Sequence, residues 1–109
     1  MNTSEYQSIT SLHDVTFVIV TYNSAHCLPT LGTTLVNSPN IIVVDNGSED
    51  NTAQAVAQHL PQAQWLPQGR NLGFGAANNR ALALVQTPFA LMLNPDCELD
   101  AHSVQALLD

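Results

Sequence analysis

The sequence predicts an α/β domain, a mostly parallel sheet with helices on both faces. Three observations predict it. First, apolar, β-branched runs recur along the chain: "VTFVIVTY" (15–22), "NIIVVDNGS" (40–48) and "FALMLNPD" (89–96). Second, stretches with helical spacing of apolar residues lie between them, the alternation that makes parallel strands. Third, each run ends in polar, turn-forming residues, at the carboxyl ends of strands where open α/β sheets bind ligands.

Taken in order, residues 1–13 are polar and read as a flexible lead-in; the domain covers 14–109. The run 15–22 is continuously apolar, as a strand buried on both faces should be. A helix follows, with Pro29 in its first turn and Leu28, Leu31 and Leu35 on one face. The second strand ends at Asp45 and an Asn-Gly turn. Ala53, Val56, Ala57 and Leu60 fall at i, i+3, i+4 and i+7, which predicts a second helix with that buried face. Asp50 or Ser48 is placed to cap it. "AQWLP" (63–67) is a weaker strand. Residues 74–85, rich in Ala and Leu, form a third helix that ends before Pro88. "FALML" is the fourth strand. A last helix starts near Asp100, with Val104, Leu107 and Leu108 on one side.

Composition narrows the function. Hydrophobic residues make up 45% of the 109 residues and charged ones 10%, which argues against disorder. The net charge is −7, with two arginines and no lysine. Nucleic acid is therefore not an expected partner, because phosphate neutralisation needs Lys and Arg. A phosphorylated ligand would have to be held locally, by backbone N–H groups, an arginine or a cation. Cys27 and Cys97 have no metal-ligand spacing and are expected as thiols. The N-terminus lacks the basic start and apolar stretch of a signal peptide. No apolar run reaches the roughly 20 residues of a membrane span. The expectation is a cytoplasmic chain, with peripheral membrane attachment left open for a full-length context.

Several motifs carry less than they suggest. "GRNLGFGAANNRAL" (69–82) holds half of a Gly-x-Gly-x-x-Gly, but Asn78 stands at the third glycine and the run does not follow the first strand. These glycines turn the chain into a helix. His13, His26, His59 and His102 are scattered. Arg70 is a candidate for a phosphate or a base edge, or else makes a surface salt bridge. Among Asn78, Asn79 and Arg80, some face the crevice or all form a solvated face.

Read together, "VTFVIVTYN", "IIVVDNGSEDNT", "GRNLGFGAANNRAL" and "LMLNPDCEL" resemble family 2 glycosyltransferases of the GT-A fold, in order and in approximate spacing. They are most similar to the rhamnosyltransferase-like members, over the nucleotide-binding portion, from about Val15 onward. The resemblance implies a strand order of 3-2-1-4. It implies that Thr21, Tyr22 and Asn23 line a nucleotide pocket, that Asp45 meets the base or ribose, and that Asn46, Arg70, Asn71 and Asn94 contact the nucleotide. The family's Asp-x-Asp reads Asn94-Pro95-Asp96 here, so one carboxylate is an amide and Asp96 carries over as the ligand for Mg²⁺ or Mn²⁺. The implied donor is a dTDP- or UDP-linked sugar, and the implied acceptor a glycan or a lipid-linked hydroxyl. No catalytic base matches within the chain, so transfer by the chain alone is not expected. The alternative is a non-catalytic nucleotide-binding or interaction module of the same fold. A nucleotidyltransferase is disfavoured, because "TYNSAHCLP" lacks the glycine-rich basic loop of that class. With "FALML" as the last strand, an exposed sheet edge and a homo-oligomer formed through it are expected.

Overall fold

The computed structural model describes residues 11–95. It holds strands β1 (Val15–Thr21), β2 (Ile41–Asp45), β3 (Gln64–Pro67) and β4 (Phe89–Leu93). Three helices connect them: α1 (Leu28–Thr34), α2 (Thr52–His59) and α3 (Phe74–Leu82). The expected residue 100–109 helix lies outside the described residues, as do Asp96, Cys97 and most of the lead-in. Of that lead-in, Leu12–Asp14 form a 3-10 turn capped by Ser11, and Leu12 packs against the core.

All strand pairs are parallel, in the order β3-β2-β1-β4, the order that the resemblance implied. β1 is therefore central, and all seven of its residues are buried. Its alternate residues serve two separate cores. Val15, Phe17 and Ile19 join Ile41 and Val43 under α1 and α2, against Leu28, Leu31, Leu35, Val56 and Leu60. Val18 and Val20 join Ile42 and Val44 under α3, against Ala77 and Ala81. Each fully buried Leu, Ile or Phe contributes about 1.5–3 kcal/mol through burial. The expectation of helices on both faces therefore holds, and Leu28, Leu31 and Leu35 share the buried face as their spacing requires.

The face of α2 differs from its expectation. Ala53 and Ala57 are exposed, and the buried spoke is Thr52, Val56 and Leu60. Thr52 can be buried because its hydroxyl donates to Asp50 and accepts the Ser24 N–H at 2.9 Å. A satisfied polar residue thus occupies an apolar position. Helix α3 ends at Leu82, with Leu84 and Val85 continuing in turn hydrogen bonds.

Among the described residues β4 is an edge strand. Its exposure alternates, and Met92 is half exposed. No helix among the described residues is long and apolar enough to cross a membrane.

Helices α1 and α2 meet at Gly32. A Cβ there would stand 2.5 Å from the His59 carbonyl oxygen and 2.8 Å from the His59 Cβ. Gly32→Ala should lower stability by about 1–3 kcal/mol, the cost of overpacking, against a helix-propensity gain of at most about 1 kcal/mol. Urea denaturation measures this. An unchanged or higher midpoint would show that the helices slide apart freely.

Candidate functional site

The carboxyl ends of β1, β2 and β3 each lead into a loop, and side chains tie the three loops together. Asp45 ends β2 opposite Thr21 at the end of β1. It is 5% exposed. Its Oδ1 accepts the Thr21 hydroxyl at 2.7 Å and the Ser48 hydroxyl at 2.5 Å. Its Oδ2 accepts the Ser48 N–H at 2.8 Å. An ionised carboxylate has about four acceptor positions, so Oδ2 keeps room for a further donor.

The loop after β2 is stitched to the loop after β1. Asn23 sits at φ 50°, a left-handed conformation that Asn tolerates. Its N–H donates to the Ser48 hydroxyl at 2.8 Å, and its Oδ1 accepts the Glu49 N–H at 2.8 Å. Asp50 Oδ1 accepts the first-turn N–H of Thr52 at 3.0 Å, while Oδ2 accepts the Ala25 N–H at 3.2 Å.

The same loop is stitched to the one after β3. Asn46 is buried. Its Oδ1 accepts Gln68 Nε2 at 2.6 Å and the Leu72 N–H at 3.4 Å, and its Nδ2 donates to the Gly73 carbonyl at 3.3 Å. The Gln68 N–H donates to the Asp45 carbonyl at 2.9 Å. Gly69 and Gly73 take positive φ angles of 78° and 93°, as turns into α3 require.

Around this framework, Tyr22, Arg70, Asn71, Leu72 and Phe74 are exposed. Asn71 Oδ1 accepts the Gly73 N–H at 2.9 Å. Asn94 follows Leu93, whose partner on β1 is Ile19, so β4 delivers Asn94 toward the same end of the sheet. Of the three polar residues on α3, Asn79 and Arg80 are exposed, and Arg80 Nη1 donates to the Pro67 carbonyl at 3.2 Å. Asn78 is buried, and its Oδ1 has no hydrogen-bond partner.

Thr21, Tyr22, Asn23, Asp45, Asn46, Arg70, Asn71 and Asn94 thus come from the carboxyl ends of the four strands or the loops after them. Asp96 lies outside the described residues. Among the described residues no three His, Cys, Asp or Glu side chains gather as a metal site. Sequence reasoning missed Ser48, Thr52 and Gln68, which shape the site by bonding to its members. Ser48 carried a readable signal: Asp followed three residues later by Ser across Asn-Gly is a side-chain-closed turn.

The sequence model of glycosyl transferase family 2 matches residues 16–109. The chain belongs to that family. Among curated family relatives, the chain is 36% identical over 81 residues to N-acetylglucosaminyl-diphospho-decaprenol L-rhamnosyltransferase of Mycobacterium tuberculosis, covering 64% of the chain and 26% of the relative. It is 28% identical over 101 residues to teichoic acid poly(glycerol phosphate) polymerase of Staphylococcus epidermidis, covering 84% of the chain and 14% of that protein. It is 26% identical over 110 residues to a low-salt glycan biosynthesis hexosyltransferase of Haloferax volcanii, covering 97% of the chain and 35% of that protein. The chain therefore spans about a quarter of the length of the rhamnosyltransferase relative. The parallel four-stranded sheet with its helices is consistent with that family.

Asp50 gives the site an acid sensitivity. The Thr52 hydroxyl holds its pKa below the ordinary 3.8, against a desolvation penalty, with backbone N–H donors adding to the lowering. A pKa depressed in the folded state stabilises above the unfolded value and loses that stabilisation as pH falls through the folded one. Stability from Asp50 should thus be complete at neutral pH and fall away below 3.8. In denaturant titrations across pH, Asp50→Asn should lose stability at pH 7 and should narrow its gap to the wild type below pH 3.8. A gap that stays constant with pH would show that the ionised carboxylate contributes nothing.

Proposed function

We propose that this chain is the nucleotide-sugar-binding part of an inverting glycosyltransferase. The reading rests on the convergence of the four motif segments on one sheet edge, around a carboxylate with acceptor capacity to spare. In this reading Thr21, Tyr22 and Asn23 line the nucleotide pocket. Asp45 Oδ2 accepts from a base N–H or a ribose hydroxyl, with Asn46 beside it. Arg70 donates to a base carbonyl or a phosphate, and Asn71 and Asn94 complete the polar wall.

The reaction is a single displacement. An acceptor hydroxyl attacks the anomeric carbon, a general base takes its proton, and the nucleoside diphosphate leaves. No residue of the chain is assigned as that base. The acceptor is a glycan or a lipid-linked hydroxyl, and the donor carries dTDP or UDP.

The oxygen donors of the Asn94-Pro95-Asp96 segment suit Mg²⁺ or Mn²⁺, which prefer such ligands. Held by Asp96, the ion would neutralise charge on the departing diphosphate. Asn94 adds an amide oxygen without charge, so the diphosphate itself has to complete the ligand set.

Calorimetric titration with UDP, dTDP and GDP, with and without Mn²⁺, tests the reading. Arg70→Ala should weaken binding of UDP or dTDP by about 1.5–3 kcal/mol, the scale for a hydrogen bond to a charged group. Asp45→Ala should weaken it by about 1–3 kcal/mol, and should also lower stability, because it strands the Thr21 and Ser48 donors. Wild-type affinity in a folded Arg70→Ala protein would remove Arg70 from the site.

Metal dependence is the second test. Mn²⁺ should tighten diphosphate binding by the wild type and much less by Asp96→Asn. Equal enhancement in both would mean that the cation is held elsewhere.

A further inference from the structure

We infer that Gly47 is a positioning residue for nucleotide recognition, acting through Arg70; this rests on the proposed reading of the site. Of the three glycines with positive φ, Gly47 at 81°, Gly69 at 78° and Gly73 at 93°, only Gly47 is also held by close contact. A Cβ at position 47 would lie 2.7 Å from the Cα of Arg70, 3.0 Å from its carbonyl carbon and 3.1 Å from its nitrogen. At Gly69 and Gly73 a Cβ would meet nothing within 4 Å.

The atoms facing Gly47 are backbone, so no rotamer change relieves the overlap. The loop cannot swing aside as a body either, because it is fastened on both sides of Arg70. On one side Gln68 is bonded through its N–H to the Asp45 carbonyl at 2.9 Å and through Nε2 to Asn46 at 2.6 Å. On the other, the Leu72 N–H and the Gly73 carbonyl bond Asn46 at 3.4 Å and 3.3 Å. Arg70 is thus the middle of a short span fixed at both ends, resting on the bare Cα of Gly47. Residue 47 sets how far that middle stands from Asp45, and with it the origin of the exposed Arg70 side chain. A methyl group there pushes Arg70 outward while Asp45 stays in place. A donor and an acceptor that must meet one ligand together then lose their spacing.

The test is a double-mutant cycle on the chain, read by titration with UDP and dTDP, after circular dichroism confirms folding. Gly47→Ala should weaken binding about tenfold or more, the scale expected when a charged hydrogen bond is lost. In an Arg70→Ala background the same substitution should change affinity by less than about twofold, because coupled residues are non-additive. Gly69→Ala carries a similar φ strain without the contact and should keep the wild-type affinity. If Gly47→Ala does not fold, Gln68→Ala loosens one end of the span and should show the same dependence on Arg70. An equal loss with and without Arg70, or a Gly69→Ala protein as weak as Gly47→Ala, would overturn the inference. Amide spectra report the geometry without any nucleotide: Gly47→Ala should shift the resonances of Gln68 to Gly73 and spare α1. Unmoved resonances there would overturn the inference too. A wild type that binds neither UDP nor dTDP would instead sink the functional reading, with the spectra still deciding whether Gly47 places Arg70.

Discussion

The Asp45 carboxylate is the constraint on which the carboxyl edge of the sheet depends. It closes the Asn-Gly turn through Ser48, fixes the end of β1 through Thr21, and its own carbonyl receives Gln68 from the next crossover. Several other ties at this edge build on the loop it closes or on the start of α2 just beyond it. Asn23 and Ser24 reach that loop from one side, and Asn46 reaches out of it on the other. A buried carboxylate is costly unless its oxygens are bonded. Here the donors are two hydroxyls and an amide, all neutral. No arginine is among those donors. In a chain with two arginines and no lysine that economy matters.

Much of the fold was legible because its signals are redundant. In β1 and β2 the β-branched runs, the buried positions and the polar ends all agree, and the strands fall within a residue or two of expectation. The leucines of α1 are large, regularly spaced and unambiguous. The face of α2 was misread because alanine is a weak marker of burial and threonine a misleading one. Thr52 is buried through partners on Asp50 and Ser24, and both contacts are invisible to a periodicity. At the site, Asp45 and Asn46 were singled out from resemblance as ligand contacts. Their structural work could not be read, since it depends on which loops lie side by side. The close approach of Gly47 to Arg70 was equally silent, because the two residues are joined only by the tertiary fold.

The two cores are built differently. Under α1 and α2 the sheet meets the large side chains of Leu28, Leu31, Leu35, Val56 and Leu60. Under α3 it meets Ala77 and Ala81, so that helix lies close to β1 and β2. Close packing suits the helix that carries the Arg70 loop into place, because small side chains leave few alternative packings. The unpartnered Asn78 oxygen sits beside this contact in sequence, next to Ala77.

The register of the central strand has a kinetic consequence. β1 precedes its partners in sequence, yet its partner on one side is β4, with Val15 opposite Phe89. Its other partner, β2, arrives far sooner. Pairings distant in sequence form slowly, because a long loop must close before the contact is gained. Nascent β1, β2 and β3 would then assemble with one flank of the central strand still open. Pulse-labelled hydrogen exchange during refolding should show protection of β2 before β4; simultaneous protection would mean that the sheet condenses in one step.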